Sequence, residues 1–528
     1  MLEAIRNKWN STVVTGETPA IKPDIPGFVN CASAIETIAW AINNKAKIAV
    51  HCDVDVDGIG SGYIFKRAMS FLTGYNQIYM INAEKKHGIQ QEHVELLKRN
   101  PVDLLVILDS SSNSLDIIKQ FKCNVLVIDH HEVDHNELKG RTYDGKHVYL
   151  IVNNTIDNPY GKEISCWLKS RNPNTTVEIA DYQADSKMSC GLVVYELFRL
   201  FCEAFNTGPI LENSMLYQWA GVTLITDAIL LNTPRNQWYM EKTVCATDIE
   251  PSLKVMVQEL NPYALTLSKS LIGYTFAPTI NRAIRAGASS EALAVILNNP
   301  YDIKKLQVYR ALQDEVVSKG IENYSTGESY TLKDLSDTDI SSNYSGVIAG
   351  KLLDITHKNT VVYKVNDGIA QGSFRGRVPD ADYKAKFNEF GHGALAQGHK
   401  VSFGFQAKIE DLPEIMESLA DIESGYTDKP YLTAGNTPEE FRGQYHIDNI
   451  DEFKRAGGII MLANGNAKLS SQEQIMIHLQ QSEAKLIEVH GKLYLYDVLG
   501  FHCKAFSPVD GPFNLYIEQS KMIDFYIK

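Results

Sequence analysis

Short apolar runs recur through the first 130 residues, and each ends on a polar group. Ala46-Lys47-Ile48-Ala49-Val50 reads as a strand that leads into His51-Cys52-Asp53-Val54-Asp55-Val56-Asp57-Gly58. Val102 to Leu108 reads as a strand ending on Asp109, and Asn124 to Ile128 as one ending on Asp129-His130-His131. Gln77 to Asn82 reads as a shorter strand. Residues 34–44, 61–72, 92–99 and 116–121 carry helical periodicity between them. Near-continuous apolar strands alternating with helices predict a parallel sheet covered on both faces. Such sheets bind ligands at the carboxyl ends of their strands. A further strand-like run, Ala220 to Thr226, ends on Asp227 and adds a fourth polar group to the same rim.

Alternation through Val54 and Val56 would throw Asp53, Asp55 and Asp57 to one side. Three like charges repel unless a cation sits among them, because a divalent ion keeps carboxylates ionised. Gly58, Gly60 and Gly62 would let the backbone turn closely around such a site before the next helix. On this stretch alone a solvated acidic turn or a Ca²⁺ loop reads equally well. Taken singly, Asp109 and Asp227 could cap helices and His130 could be a satisfied core histidine. Their convergence with the acidic loop is what points to a metal site. Aspartate oxygens with imidazole nitrogen suit Mn²⁺ or Mg²⁺ better than a thiolate-seeking ion.

Composition narrows the function classes. The 528 residues, 44% of them hydrophobic, predict two to four domains with large cores. A net charge of −13 argues against a general nucleic-acid coat, so a polyanion would be handled by a local basic groove and bound metal. Eight scattered cysteines without a C-x-x-C pair fit reduced thiols in a cytoplasmic protein rather than a disulfide framework or zinc site. No apolar run reaches transmembrane length, and the first residues lack a signal-peptide core.

Residues 233–340 read as mostly helical, with Leu306, Tyr309, Leu312 and Val316 at helical spacing. Gly346 to Leu353 reads as a short helix, and Thr360 to Val365 as a strand turning at Asn366-Asp367-Gly368. Ala484 to His490 and Lys492 to Tyr496 suggest a hairpin in a β-rich tail. Aromatics among lysines there could stack single-stranded bases, though the edge of a small β domain explains the alternation as well.

His51-x-x-x-Asp55-x-Asp57-Gly58, Asp109, Asp129-His130-His131 and Asp227, in this order, resemble the four motifs of the DHH phosphoesterase superfamily. Met188 to Val194 resembles the helix start before the fourth motif, and Pro278 to Gly287 the segment after it, as in the RecJ-like single-strand exonucleases. Gln371-Gly372-Ser373-Phe374-Arg375 resembles the Gly-Ser-x-Arg strand of the DHH-associated domain. Phe390-Gly391-His392-Gly393 resembles that domain's glycine-histidine loop, with Phe390 replacing its first glycine and one extra residue before Gly398.

The resemblance implies an α/β DHH domain at 1–232, a helical linker at 233–340, a smaller α/β substrate-binding domain at 341–410 and a β-rich region of unknown type at 411–528. It implies two divalent ions sharing Asp109: His51, Asp55 and Asp109 would hold one, and Asp57, Asp109, His130 and Asp227 the other. Asp53 would support this set, and Asp129 would orient an imidazole ring. His131 would face the scissile phosphate as a donor, or serve as a buried orienting histidine. Arg282, Arg285, Ser373, Arg375, Gly391 and His392 would bind substrate phosphate, or in part pair with surface carboxylates and shape a turn. The implied activity is hydrolysis of single-stranded DNA from an end to mononucleotides, 5′ to 3′ as in related enzymes. Single-strand-binding or repair proteins are the implied partners in DNA repair and recombination. Short RNA or cyclic dinucleotides are alternative substrates. A non-catalytic replication scaffold is the alternative of another class, against which the complete ligand set argues.

Overall fold

The computed structural model describes residues 22–423 apart from 82–87, 134–140, 144–145, 186, 228, 230–232, 245, 247, 262–266, 268–270, 357 and 379–380; beyond 423 it describes strands alone. Two compact units emerge, one of residues Met1–Asn281, Ser290–Lys304 and Leu432–Lys528, the other of Arg282–Ser289 and Lys305–Tyr431. The helical stretch expected at 233–340 is therefore shared between the units.

The first unit opens with α1 (Cys31–Asn43), β1 (Ile48–Cys52), α2 (Val56–Thr73), β2 (Ile78–Met80), α3 (Gln91–Arg99), β3 (Leu104–Leu108), α4 (Leu115–Ile118), β4 (Asn124–Asp129), β5 (Arg141–Tyr143) and β6 (His147–Asn153). The sheet order is β2-β1-β3-β4-β6-β5, parallel throughout except for β5, which runs antiparallel to β6 at the edge. Every residue of β1 and β3 is buried, as the unbroken apolar runs require. Alternate residues explain why both faces are covered. Leu105, Ile107, Val125 and Val127 pack with Val94 and Leu97 of α3 and Ile118 of α4, while Leu104, Val106, Leu126 and Ile128 are buried with their side chains on the other face.

After α5 (Gly161–Arg171) come the helices that complete the site: α6 (Cys190–Phe205), α7 (Gly208–Asn213), α8 (Tyr217–Thr226) and α9 (Pro234–Val244). Two expectations need correction. The run Ala220 to Thr226 is helix α8, not a strand. A short apolar run fits a helix buried on all sides as well as a strand, and α8 packs against α2, α6 and α9. Small residues permit this: a Cβ on Gly221 would lie 2.8 Å from Thr243 Cβ in α9. Helix α2 also starts five residues earlier than its periodicity suggests, so Asp55 and Asp57 belong to a helix start rather than to alternate strand positions.

The second unit includes α10 (Tyr309–Gly320), β7 (Ser325–Thr326), β8 (Tyr330–Asp334), α11 (Ser345–Thr356), β9 (Asn359–Asn366), β10 (Ile369–Arg375), α12 (Tyr383–Glu389), β11 (Leu395–His399) and β12 (Ser402–Lys408). Its sheet order is β11-β12-β10-β9-β8-β7, with β8 and β9 parallel and the rest antiparallel. The β9–β10 hairpin turns on Asp367 (φ 49°) and Gly368 (φ 75°), as Asn-Asp-Gly predicts. Phe374 and Phe403 stack at 4.5 Å in its core. The tail forms a five-stranded and a four-stranded sheet. Ser482–Val489 pairs antiparallel with Lys492–Asp497, as expected; the turn residues His490 and Gly491 lie outside the described residues.

Candidate metal centre

The rim of the parallel sheet is built by three sharp turns. After β1 the Asp53 N–H donates to Leu108 O at 3.1 Å, and Asp55 caps α2 by accepting from Gly58 N–H at 2.9 Å. A Cβ on residue 58 would sit 2.8 Å from the Asp53 carbonyl carbon, so the turn requires glycine. After β3, Asp109 adopts φ 64° and Ser111 φ 73°, left-handed conformations that non-glycine residues adopt at a cost. After β4 comes Asp129-His130-His131.

His130 Nδ1 lies 2.9 Å from the carbonyl oxygen of Met188. A carbonyl only accepts, so Nδ1 carries a hydrogen, and Nε2 is the ring atom turned toward the acidic cluster. That nitrogen faces Asp109 Oδ1 at 3.2 Å, Asp227 Oδ2 at 3.6 Å and Asp57 Oδ2 at 3.9 Å. Asp109 Oδ1 and Asp227 Oδ2 are buried yet accept no hydrogen bond among the described residues. So many acceptors in one buried site call for a shared proton or a cation among them.

The electrostatics agree. Burial, then the charges of Asp57 and Asp55, pushes the Asp109 carboxyl well above its ordinary range. Burial, Asp227 and Asp55 do the same to Asp57, although Cys190 and Gly191 N–H groups at the start of α6 donate to its two oxygens at 2.8 and 2.9 Å. Asp227, just past the end of α8, is raised to about 7 by burial and by Asp55. Without a cation the cluster tends to hold protons.

Three sets of ligand atoms lie mutually within 4.8 Å: Asp57 with His130 and Asp227, Asp109 with His130 and His131, and Asp53 with Asp55 and Asp109. The residues expected to hold one ion thus come together. For the other, the structure groups Asp53 with Asp55 and Asp109. His51 is buried within β1, its ring edge-on to His93 at 4.7 Å, and it belongs to none of these three sets. Oxygen donors with one or two imidazoles suit Mn²⁺ or Mg²⁺, so the residues present fit a divalent centre.

His131 stands at the edge of this centre, its Nδ1 2.8 Å from Asp129 Oδ1. Burial alone would lower its pKa, but the Asp129 charge and hydrogen bond raise it to about 9. Asp129 is held far below the ordinary carboxylate range: burial opposes this, and the charge and hydrogen bond of His131 outweigh it.

In the second unit Arg285 and Arg375 are close enough for each to feel a neighbouring positive charge. Burial first, then Arg285, lowers Arg375 to about 10; burial, then Arg282, lowers Arg285. Arg285 donates to Gln313 at 3.0 Å, Arg375 donates to its neighbour's carbonyl, Phe374 O, and Ser373 Oγ lies 2.8 Å from Ser345 Oγ at the start of α11. Arg282 Nε is buried without a hydrogen-bond partner among the described residues. Gly391 and His392, with Gly393, form a run of left-handed residues in a loop before β11, where His392 is exposed.

From its sequence, the stretch 188–194 is legible only as a helix start. Its backbone in fact fixes the tautomer of His130 and seats Asp57, a role signalled by a Ser N-cap followed by small residues ahead of an apolar helix.

Residues 47–148 match the family described as DHH family, N-terminal domain. The parallel-sheet part of the chain therefore carries a DHH-type domain. The fold of the chain resembles the crystal structure of exonuclease RecJ bound to manganese (18% identity, 77% of this chain, 97% of that chain, TM-score 0.51) and RecJ in complex with Mn²⁺ from Thermus thermophilus (15% identity, 96% of this chain, 74% of that chain, TM-score 0.60). The chain is also 22% identical, over 72% of its own length and 67% of the other protein, to a Bacillus subtilis (strain 168) protein provisionally named SPbeta prophage-derived single-strand DNA-specific exonuclease YorK. No helix among the described residues is long and apolar enough to cross a membrane.

Proposed function

We propose that this chain is a divalent-metal-dependent exonuclease that hydrolyses single-stranded DNA from the 5′ end to mononucleotides. The observation that carries the reading is the pair of buried carboxylate oxygens, Asp109 Oδ1 and Asp227 Oδ2, which accept no hydrogen bond among the described residues and lie 3.2 and 3.6 Å from His130 Nε2. RecJ structures described with manganese and a relative named for single-strand DNA support the choice of ion and substrate.

Asp57, Asp109, His130 and Asp227 would hold one ion, and Asp55 and Asp109 the other, with Asp53 or His51 completing it. Bound there, paired ions supply a water of lowered pKa and neutralise charge growing on phosphorus. The protein's own groups do the rest. Asp129 holds the Nδ1 side of His131 and, in the metal-free site, raises its pKa to about 9, which leaves Nε2 as the ring atom able to donate to a phosphoryl oxygen. Arg285, Arg375 and Ser373, with Arg282, Gly391 and His392, would bind substrate phosphate. Two largely desolvated guanidiniums with no carboxylate partner among the described residues are costly until an anion joins them. The substrate suits a role in DNA repair or recombination.

End-labelled DNA and RNA strands, each blocked at one end, test the proposal in Mn²⁺ or Mg²⁺. It predicts stepwise shortening of single-stranded DNA from the 5′ end, slower loss of RNA and sparing of duplex. Failure to hydrolyse any strand with either ion would overturn it.

A further inference from the structure

Strand β6 ends at Asn153, which pairs with Asp129 in the parallel register. The side chain of Asn153 is fully buried, and all its hydrogen-bonding capacity goes to the loops around the metal centre. Its Nδ2 donates to the carbonyl oxygen of His131 at 2.9 Å and to Ser112 Oγ at 3.1 Å. Its Oδ1 accepts from Thr155 N–H at 2.8 Å, and the Thr155 hydroxyl lies 2.8 Å from that oxygen and 3.2 Å from His131 O. Asp129 closes the circuit: Oδ1 accepts from His131 N–H and faces its ring Nδ1, while Oδ2 accepts from Ser112 N–H at 3.2 Å.

His131 is therefore gripped from two sides. Asp129 fixes its ring and amide, and Asn153 with Thr155 fixes its carbonyl. Through Ser112 the same amide is tied to the loop that begins at Asp109. An apolar residue would fill the space but could not set the spacing between the two loops.

We propose that Asn153, braced by Thr155, is a positioning residue that sets where the His131 imidazole points. The proposal rests on the phosphodiesterase reading for its kinetic arm only. A catalytic group displaced slightly from its working geometry loses rate while substrate affinity is little affected.

The test uses the full chain carrying N153A or T155V, alone and combined with H131A. N153A lowers kcat about 10- to 100-fold on single-stranded DNA. Its KM and Mn²⁺ affinity stay within about twofold of wild type, and adding N153A to H131A costs no more than about twofold further. T155V acts in the same direction and decides the matter if N153A does not fold. In the metal-free chain, the ring signals of His131 in ¹H–¹⁵N spectra shift in both variants, while those of His147 remain. Losses that multiply with H131A, or unmoved His131 signals, overturn the proposal. A wild-type chain inactive on every strand, with His131 signals that do shift, would count against the phosphodiesterase reading and leave the positioning role standing.

Discussion

Asp109 concentrates the chemistry of the site in one residue. It carries a left-handed backbone, a buried carboxylate oxygen without a donor among the described residues, and a pKa pushed upward by burial and by its acidic neighbours. The choice of substitution follows from this. Alanine at φ 64° adds backbone strain of about 1 kcal/mol to the loss of the ligand, whereas asparagine tolerates that conformation and keeps the shape. D109N is expected to abolish hydrolysis and to make the metal-free chain at least as stable as wild type at pH 8, read as an activity assay and a melting curve. The pH dependence has a definite sign. Asp57, Asp109 and Asp227 are raised in the folded chain, so the stability they lend is present below the ordinary carboxylate pKa and is lost as pH rises, for Asp227 through about 7. The melting temperature of the metal-free chain should therefore fall between about pH 5 and 8, while Mn²⁺ binding tightens and releases protons over the same range. Calorimetry in buffers of different ionisation enthalpy would detect those protons; proton-neutral binding would contradict the assignment.

At the scale of elements, the start of α6 is the keystone of the site. Met188 O sets the tautomer of His130, Cys190 and Gly191 N–H groups hold Asp57, and Gly191 sits against α8. A Cβ at 191 would lie 2.6 Å from Thr223 Cγ2, so G191A should cost about 1–3 kcal/mol by overpacking and weaken Mn²⁺ binding as the amides shift. Adding T223A should recover part of the stability lost in G191A. A double variant no more stable than G191A would mean that the clash is not the cause. Helix α8 also shows the limit of sequence reading. The strands bearing Asp109 and Asp129 were legible because β-branched and leucine runs of about five residues alternate with polar helices. Ala220 to Thr226 has the same look but is enclosed by other helices, and nothing in its own pattern reports that neighbourhood. Asp227 was still found, since the residue closing a buried element reaches the site from either type. The sequence places both Asp53 and His51 at this rim, but which of them lies nearest Asp55 and Asp109 is not legible in it. That depends on where the chain leaves β1, one residue after His51, and not on residue types.

For the whole molecule, the proposed action on a polyanion requires an acidic chain to confine its attraction to a few places. The net charge of −13 repels nucleic acid at long range, and Arg282, Arg285 and Arg375 form a local exception in the second unit. R375Q removes one of two neighbouring desolvated guanidiniums. It should leave the unbound protein as stable as wild type or more so, weaken strand binding, and reduce the salt slope of binding by about one. Fluorescence anisotropy across a salt series reads this directly, and an unchanged slope would remove Arg375 from the phosphate path. Catalytic metal at the sheet rim is the feature on which the proposed activity most directly depends. Titrating the full-length chain with Mn²⁺ and following free Mn²⁺ by electron paramagnetic resonance should show saturable uptake by wild type. D109N should lose that uptake together with all hydrolysis of single strands. Equal uptake and equal turnover in the two proteins would contradict the account.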